Sequence, residues 1–191
     1  HKFLDIHMTF RGFIKRLEKN GKLVTITEPI STECEMSGVL KEFEPRAVLF
    51  EEIHDSGFRA AGNIFPTKAA FAEYFGIATN EIISALIEAV EERSSPELVS
   101  EGACQEVVID TPDLDLLPIL QHFENDGGRY ITSGVIIAKH PDHGQNLDFH
   151  RCMQFSGTEM AMRVVKGRHF DAFLKDLGQV DVAVCVGCGP N

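Results

Sequence analysis

The sequence predicts an α/β domain over residues 9–100, followed by a mainly antiparallel β domain over residues 101–191. In the first part, apolar residues recur at helical spacing in some segments and alternate as in strands in others. After Pro96, short apolar runs separated by turn residues dominate, as in an antiparallel barrel or sandwich. A hydrophobic content of 43% and a charged content of 25% are typical of a folded globular protein.

The first helix begins after Thr9, because a threonine hydroxyl is a good helix cap and apolar residues then recur at helical spacing. Asn20-Gly21 ends this helix. The next elements are a strand over 22–27, a short helix over 33–41, a strand over 47–53 that buries Val48 and Phe50 or their neighbours, and a helix from Thr67 through Phe75.

The clearest helix of the sequence runs from Asn80 to about Arg93. Its apolar residues form one stripe, made of Ile82, Ile83, Leu86, Ile87 and Val90. Ser94-Ser95-Pro96 stops this helix, and we place the domain boundary near residue 100.

The second half contains five short apolar runs that predict strands, over 105–109, 131–138, 147–155, 160–165 and 180–186. Turn sequences such as Asp126-Gly127-Gly128 separate them. One helix, from Arg168 to Leu177 and closed by Gly178, interrupts the strands.

Charge and cysteine content narrow the classes of function. Eighteen basic against 29 acidic residues give a net charge of −11, which repels phosphate backbones and argues against nucleic-acid binding. No apolar run reaches the roughly 18 residues that a membrane helix needs, and the residues before the first helix do not show the pattern of a signal peptide, so we expect no export signal. The five scattered cysteines therefore predict reduced thiols and a cytoplasmic protein.

Both ends of the sequence carry expectations of their own. Residues 1–7 are expected to be a vector remnant ahead of a start methionine at Met8. An apolar strand pattern stops just before Asn191, and a buried strand needs neighbours on its edges. We therefore expect more chain beyond Asn191 that completes the second domain.

Arg151 is the most informative polar residue. Strand alternation over 147–155 places it among Leu147, Phe149, Met153 and Phe155 on one apolar face. A buried guanidinium cannot remain unpaired, because the desolvation of its charge is too costly. Two interpretations are nearly equal: a buried salt bridge to a carboxylate, or a cavity open to an anionic ligand.

Asn146, His169 and a Cys-x-x-Cys pair are weaker indications. Asn146 follows a turn and His169 begins a helix, so each is typical of an ordinary surface residue. An amide oxygen and an imidazole can hold a divalent cation, but a hard metal also needs a carboxylate and phosphate or water oxygens. Cys185 and Cys188 lack a second pair for zinc, and we interpret them as incidental.

Six segments follow one another in a characteristic order. They are FRGFIKRLEKNGKLVTITEPI, AVLFEEI with GNIFPTKAAFAEYFGI, DLDLLPIL, DGGRYITSG, NLDFHRCMQ and GRHFDAFLKDLG. Together they resemble the UbiD family of decarboxylases, which includes polyprenyl-hydroxybenzoate carboxy-lyase and ferulate decarboxylase. The resemblance covers about residues 9–191.

The resemblance implies reversible, non-oxidative decarboxylation of an aromatic or α,β-unsaturated carboxylic acid. The implied cofactors are prenylated FMN and a divalent metal, Mn²⁺ or Mg²⁺, with K⁺ as an optional further ion. The implied fold is an N-terminal α/β domain, a central split β-barrel of the FMN-binding type and a C-terminal domain that mediates oligomerisation. Residues 101–191 would then be the first part of the split barrel, and the full-length protein a homo-oligomer.

The resemblance also implies a role for each matching position. Asn146 and His169 match the metal ligands, and Arg151 matches the catalytic arginine near the flavin and the substrate carboxylate. The implied cofactor-binding residues are Arg151 itself, the stretch Asp148, Phe149 and His150, and one hydroxyl residue, Thr132 or Ser133. Strict alternation would send Asn146 and Arg151 to opposite faces, so a bend at the strand entry is required.

Three interpretations stay open at this point. The family's third metal ligand and its catalytic glutamates match no residue up to Asn191, so we expect the chain alone to be inactive and to bind flavin weakly or not at all. The alternatives are a non-catalytic flavin- or anion-binding module completed by another chain, and a structural assembly domain with Arg151 salt-bridged in the core.

Overall fold

A computed structural model of the chain describes residues 9–92 and 98–189. Its helices are α1 (Phe10–Lys19), α2 (Glu35–Glu42), α3 (Lys68–Phe75), α4 (Ile82–Glu91) and α5 (His169–Leu177). Its strands are β1 (Leu23–Ile26), β2 (Ala47–Phe50), β3 (Ala60–Gly62), β4 (Tyr130–Ile131), β5 (Val135–His140), β6 (Gly144–Phe149), β7 (Cys152–Gln154), β8 (Met160–Met162) and β9 (Val182–Cys185).

The first half is an α/β unit built on the sheet β1-β2-β3. Strand β2 lies parallel to β1 and antiparallel to β3. One core cluster, centred on Phe13 and Tyr74, packs α1 and α3 against the sheet, and a second cluster surrounds Val48 and Phe50. The sequence predictions for the helices and strands of this half are confirmed, including the threonine caps of α1 and α3.

The second half consists of two three-stranded antiparallel sheets, β4-β7-β8 and β6-β5-β9. Helix α5 covers the second sheet, where Phe170 and Phe173 pack against Ala138 of β5. The predicted class, α/β followed by mainly antiparallel β, is confirmed at this level.

Three of the predicted strands differ from the structure. Residues 105–109 form no strand, and Val107 and Val108 are exposed rather than paired. The predicted strand 131–138 is divided between β4 and β5, and the predicted strand 147–155 is divided between β6 and β7. In each of the two divided runs, the chain leaves one sheet and enters the other, which an apolar run alone does not reveal.

Helix α4 is confirmed, but most of its apolar stripe is exposed. Ile83 is 72% exposed, and Leu86, Ile87 and Val90 are also exposed, while Ala85 is buried. The predicted end of this helix at Ser94-Ser95-Pro96 lies outside the described residues. Within the described ranges, no helix has the length and apolar character needed to cross a membrane.

Candidate functional site

The candidate site centres on a break between two strands. Strand β6 ends at Phe149 and β7 begins at Cys152, so His150 and Arg151 belong to neither strand. The His150 side chain turns inward, with 7% of the residue exposed, whereas Arg151 turns outward. The break therefore directs two adjacent polar side chains to opposite sides.

On the inward side, three polar residues are linked through one carboxylate. The Asn146 Nδ2–H group donates to Asp148 Oδ2 over 3.0 Å. His150 Nε2 lies 3.0 Å from the same oxygen but makes no hydrogen bond to any described residue. Asp148 Oδ1 is buried and receives no hydrogen bond from any described residue.

The His150 ring is held firmly from its other side. Its Nδ1–H group donates to the Arg163 carbonyl over 2.9 Å, because a carbonyl oxygen can only accept. The ring also contacts Phe170 of α5 with a centroid separation of 5.3 Å. These contacts connect the strand break to both β8 and α5.

Strand register places Asn146 and Asp148 on the face of the sheet that α5 covers. Asn146 pairs with Ala138, and cross-strand partners project to the same face. Ala138 packs against Phe170, the residue that follows His169. The structure thus brings Asn146, Asp148 and His150 together, and it places His169 at the exposed first position of the helix that packs on the same face.

On the outward side, Arg151 lines an open cleft of about 390 Å³. The other lining residues are Tyr130, Met153, Ala161, Met162 and Arg163. Within residues 9–92 and 98–189, neither Arg151 nor Arg163 forms a salt bridge. Two unpaired guanidinium groups beside apolar walls suit an anion that carries a hydrophobic body.

Of the two interpretations of Arg151, the buried salt bridge is wrong, and the cavity open to an anionic ligand stays a prediction. The residues expected to surround it on an apolar core face are largely exposed: Leu147, Phe149 and Phe155 are 57%, 70% and 75% exposed. The strand break interrupts the alternation on which that prediction rested. Arg151 therefore meets the cleft and solvent rather than a buried carboxylate, which argues against a salt bridge in the core.

Thr132 and Ser133 are exposed in the segment between β4 and β5. Gly134 follows them, and a Cβ atom there would lie 3.0 Å from both Ile131 Cγ2 and Val184 Cγ1. The close packing at Gly134 lets the chain pass from one sheet to the other and leaves both hydroxyl residues accessible. Neither residue lines the Arg151 cleft, and neither do Asn146 and His169.

Sequence reasoning missed two features of the site. It assigned Asp148 and His150 to the backbone along a cofactor and did not predict that their side chains contact each other. Their spacing contained the information, since residues 146, 148 and 150 share one face of an extended segment. Arg163 was also missed, because only the packing of β8 beside the strand break brings it to the cleft.

A second polar cluster lies at the opposite end of α5. One ligand atom each from His140, His143 and Asp176 lies within 4.8 Å of the others. However, His140 Nδ1 accepts the backbone N–H groups of Asp142 and His143, so Nε2 of the neutral ring carries the hydrogen. A ring in this tautomer has no free Nε2 lone pair for a metal, and we interpret the cluster as a contact between the β5–β6 turn and α5.

The cysteine pair does not have the character of a redox site. All five cysteines are free thiols. Burial raises the pKa of the Cys188 thiol, and the neighbouring Cys185 and Cys104 raise it further. A raised pKa leaves less of the reactive thiolate at neutral pH, in agreement with an incidental Cys-x-x-Cys pair.

The start of α5 is stabilised by Asp171. Its carboxylate accepts hydrogen bonds from the Lys175 ammonium and the Gly167 N–H group, and these two contacts lower the pKa of Asp171 below its ordinary value of 3.8. A carboxylate at this position also interacts favourably with the helix dipole. The conformation of the helix start, and with it the position of His169, therefore depends on this residue.

We expect Asp171→Asn to destabilise the chain in a pH-dependent way. Because the folded-state pKa is lowered, the contribution of Asp171 is present above pH 3.8 and is lost as the pH falls through the lowered value. Urea unfolding between pH 6 and 2.5 measures this: the variant should be less stable than the wild type at pH 6 and should approach it at the acidic end. Asp181→Asn, a change in an exposed residue just before β9, is the control. A difference between Asp171→Asn and wild type that stays constant with pH would contradict the assignment.

Two family models together match most of the chain. The 3-octaprenyl-4-hydroxybenzoate carboxy-lyase N-terminal domain matches residues 14–90, and the 3-octaprenyl-4-hydroxybenzoate carboxy-lyase Rift-related domain matches residues 97–191.

Curated relatives carry one recurring name. The chain is 35% identical over 188 residues to an anhydromevalonate phosphate decarboxylase of Methanosarcina mazei, covering 96% of the chain and 43% of the relative. It is 29% identical over 185 residues to the enzyme of the same name from Methanothermobacter thermautotrophicus, covering 94% and 43%. The chain thus spans less than half the length of these relatives.

Solved structures show the same fold. The UbiD-class enzyme HmfF from Pelotomaculum thermopropionicum, in complex with FMN, superimposes with a TM-score of 0.89 at 24% identity, covering 95% of this chain and 43% of that one. An evolved dimeric form of HmfF in complex with prFMN gives a TM-score of 0.90, also at 24% identity, with 96% and 45% covered. The 3,4-dihydroxybenzoic acid decarboxylase of Enterobacter cloacae gives 0.87 at 22% identity, with 97% and 43% covered.

Proposed function

The chain belongs to the UbiD family of carboxy-lyases, and on this premise we propose that it forms the flavin- and carboxylate-binding part of a decarboxylase. The observation that carries the proposal is that Arg151 and Arg163 lie in one cleft with apolar walls and that neither pairs with a carboxylate of the described residues. In a chain of net charge −11, such a cleft is a local site for anions.

The proposed reaction removes CO₂ from an aromatic or α,β-unsaturated carboxylic acid and places a proton on the carbon that carried it. Arg151 binds and orients the carboxylate through charge-assisted hydrogen bonds. Met153, Met162 and Tyr130 offer the apolar surface against which the rest of the substrate or a flat ring system packs. Prenylated FMN, when bound, supplies the electron sink for the carbon centre that loses CO₂.

The residues of the inward face fit a divalent metal. The Asn146 amide nitrogen is engaged with Asp148, which leaves the amide oxygen as a free hard donor. The buried Asp148 Oδ1 lacks a hydrogen-bond donor among the described residues, and a water molecule on a cation held by Asn146 would satisfy it. We propose that Asn146 and His169 hold Mn²⁺ or Mg²⁺, which would neutralise the flavin phosphate, with K⁺ as an optional further ion.

The proposed cofactor site extends from the strand break to the β4–β5 segment. The backbone of Asp148, Phe149 and His150 is proposed to lie along the flavin, with the hydroxyl of Thr132 or Ser133 approaching it. The accessibility of Phe149, Thr132 and Ser133 supports this arrangement.

We further propose that residues 101–191 form the first part of a split β-barrel, with the domain boundary near residue 100. The gap between the two family matches, at residues 91–96, supports the boundary.

The first substrate to test is anhydromevalonate phosphate, because three relatives that are 27–35% identical carry its name. This compound would present two anionic groups, and the cleft offers two guanidinium groups, of Arg151 and Arg163.

The full-length protein is proposed to be cytoplasmic and homo-oligomeric. The free thiols support the location, and the exposed apolar stripe of α4 supports assembly.

We expect the full-length protein, supplied with prenylated FMN and Mn²⁺, to release CO₂ from anhydromevalonate phosphate, and the 191-residue chain alone to show no turnover and weak flavin binding or none. The chain spans only 43% of the relatives' length, so it contains part of their structure. Flavin absorbance after gel filtration and CO₂ release test both statements, with an aromatic acid as the comparison substrate. Appreciable turnover by the chain alone would refute the second statement. If the full-length protein with prenylated FMN and Mn²⁺ released CO₂ from neither acid, the first statement, that it is a decarboxylase, would be refuted.

A further inference from the structure

We infer that Asp148 and His150 are positioning residues, which act on the site through Asn146 on one side and Arg151 on the other. This inference rests on the proposed function, since it assigns Asn146 to the metal and Arg151 to the carboxylate. It goes beyond that function because it assigns roles to two side chains that contact neither reacting group.

Asp148 fixes the orientation of the Asn146 amide. A carboxylate can only accept hydrogen bonds, so the amide group must turn its Nδ2–H toward Asp148 Oδ2, 3.0 Å away. The opposite orientation would place two oxygens in contact. Asp148 therefore selects the rotamer in which the amide oxygen, the atom that a hard cation prefers, points away from the carboxylate.

The His150 ring packs against Asp148 and is itself held in place. His150 Nε2 lies 3.0 Å from Asp148 Oδ2, and the His150 side chain is only 5% exposed. The ring cannot move freely, because Nδ1–H donates to the Arg163 carbonyl and the ring face contacts Phe170. The carboxylate thus packs against an imidazole whose position is fixed, without a hydrogen bond between them, and it accepts the hydrogen bond of the Asn146 amide.

The position of His150 also determines the direction of the Arg151 side chain. Because the side chain of His150 is anchored inward, the next residue projects to the other side, into the cleft. Arg163 receives two contacts from this segment: its carbonyl accepts from His150, and its N–H donates to the Arg151 carbonyl over 3.4 Å. The His150 side chain therefore connects the segment that carries Arg151 to the backbone of Arg163, and a backbone hydrogen bond joins the two arginines directly.

The test compares two kinds of variant in the full-length protein. Asp148→Leu removes the acceptor at similar volume, and Asp148→Asn retains an amide oxygen that can accept from Asn146. Asp142→Asn, an exposed residue in the turn between β5 and β6, is the matched control. Mn²⁺ affinity is measured by electron paramagnetic resonance of free Mn²⁺ in the presence of FMN, together with the midpoint of thermal unfolding.

We expect Asp148→Leu to weaken Mn²⁺ binding by about 10- to 100-fold, as is typical when a residue that orients a metal ligand is lost. Asp148→Asn should lose less than about 10-fold, and Asp142→Asn should match the wild type. Wild-type Mn²⁺ affinity in folded Asp148→Leu would overturn the inference.

Two substitutions of His150 separate the effect of its contact with Asp148 from the effect of its contact with the Arg163 carbonyl. Asparagine places a donor near the position of Nδ1 and can keep the contact to the Arg163 carbonyl, whereas glutamine places its amide near the position of Nε2 and can keep the packing contact with Asp148. We expect His150→Asn to weaken Mn²⁺ binding and to leave KM for the acid close to wild type. His150→Gln should leave Mn²⁺ binding close to wild type and raise KM for the acid.

A purely structural role for His150 predicts a different result, in which both variants lower the unfolding midpoint and change Mn²⁺ affinity and KM in parallel. That result would overturn the inference even if Asp148→Leu failed to fold. A wild-type protein that neither binds Mn²⁺ nor releases CO₂ would overturn the proposed function, and the inference with it. Mn²⁺ binding that is normal in wild type and unchanged in all Asp148 and His150 variants would overturn the inference alone.

Discussion

Replacing Arg151 with Met is expected to lower kcat/KM for decarboxylation by about 10²- to 10³-fold in the full-length protein, the range seen when one charge-stabilising donor is removed from an active site. Arg151 lines the cleft, and its guanidinium pairs with no carboxylate in the described part of the chain. Its charge is therefore available to a substrate carboxylate, and Met keeps the length of the side chain without the charge.

The same substitution should change the free energy of unfolding by less than about 0.5 kcal/mol, because Arg151 is exposed and makes no salt bridge to a described residue. Steady-state kinetics and urea unfolding of the same preparation measure the two effects. Arg151→Lys should be intermediate in activity, since an ammonium cannot bind a carboxylate in bidentate fashion. Arg59→Met, at an exposed position outside the cleft, is the control.

The contrast between activity and stability separates the competing functions. A structural role for Arg151 predicts normal kinetics or a loss of stability. A non-catalytic anion-binding module predicts weaker flavin or anion binding in the absence of any turnover by the wild type. Full activity of folded Arg151→Met would remove the main support for the proposed function.

Phe170→Ala is expected to lower the free energy of unfolding by about 3–5 kcal/mol, the usual range for truncating a buried phenylalanine. Phe170 is 2% exposed and belongs to the cluster that attaches α5 to the sheet, together with Ala138 and Phe173. The substitution leaves a cavity in this cluster and also removes the ring against which His150 rests. The loss should therefore affect the site as well as the fold.

Urea unfolding measures this effect, with Phe155→Ala as a matched control. Phe155 is 75% exposed, so the same chemical change there should cost less than about 0.5 kcal/mol. If Phe170→Ala proved as mild as Phe155→Ala, α5 would not be packed as the structure has it. The placement of His169 near the inward face would then lose its basis.

The elements that could be predicted from the sequence are those governed by local chemistry. Helices α1 and α3 each begin after a threonine whose hydroxyl accepts a backbone N–H, from Gly12 and Ala70 respectively. The end of α3 at Gly76 is equally local, since its φ of 64° favours glycine. Caps, helical spacing and chain-reversing residues act within a few positions, so they are legible without knowledge of the fold.

The candidate site residues came from another source. Asn146, Arg151 and His169 were assigned by the order of motifs that resemble the UbiD family, whereas alternation by itself placed Arg151 on an apolar face that is not buried in the structure. The error arose at His150 and Arg151, where the chain passes from one sheet to the other. The alternation of polar and apolar residues does not show where the chain passes from one sheet to the other, because the same alternation is found in a strand that stays in one sheet.

The sequence alone thus determined the helices, the α/β-then-β class and the family, because each depends on residue types at short spacing or on motif order. The spacing of residues 146, 148 and 150 places them on one face of an extended segment, but only the tertiary structure decided that His150 packs on Phe170 of α5 and that Arg151 and Arg163 share a cleft. Those contacts join segments that are separated along the chain. Their geometry depends on how two sheets and α5 pack, a property that no local pattern encodes.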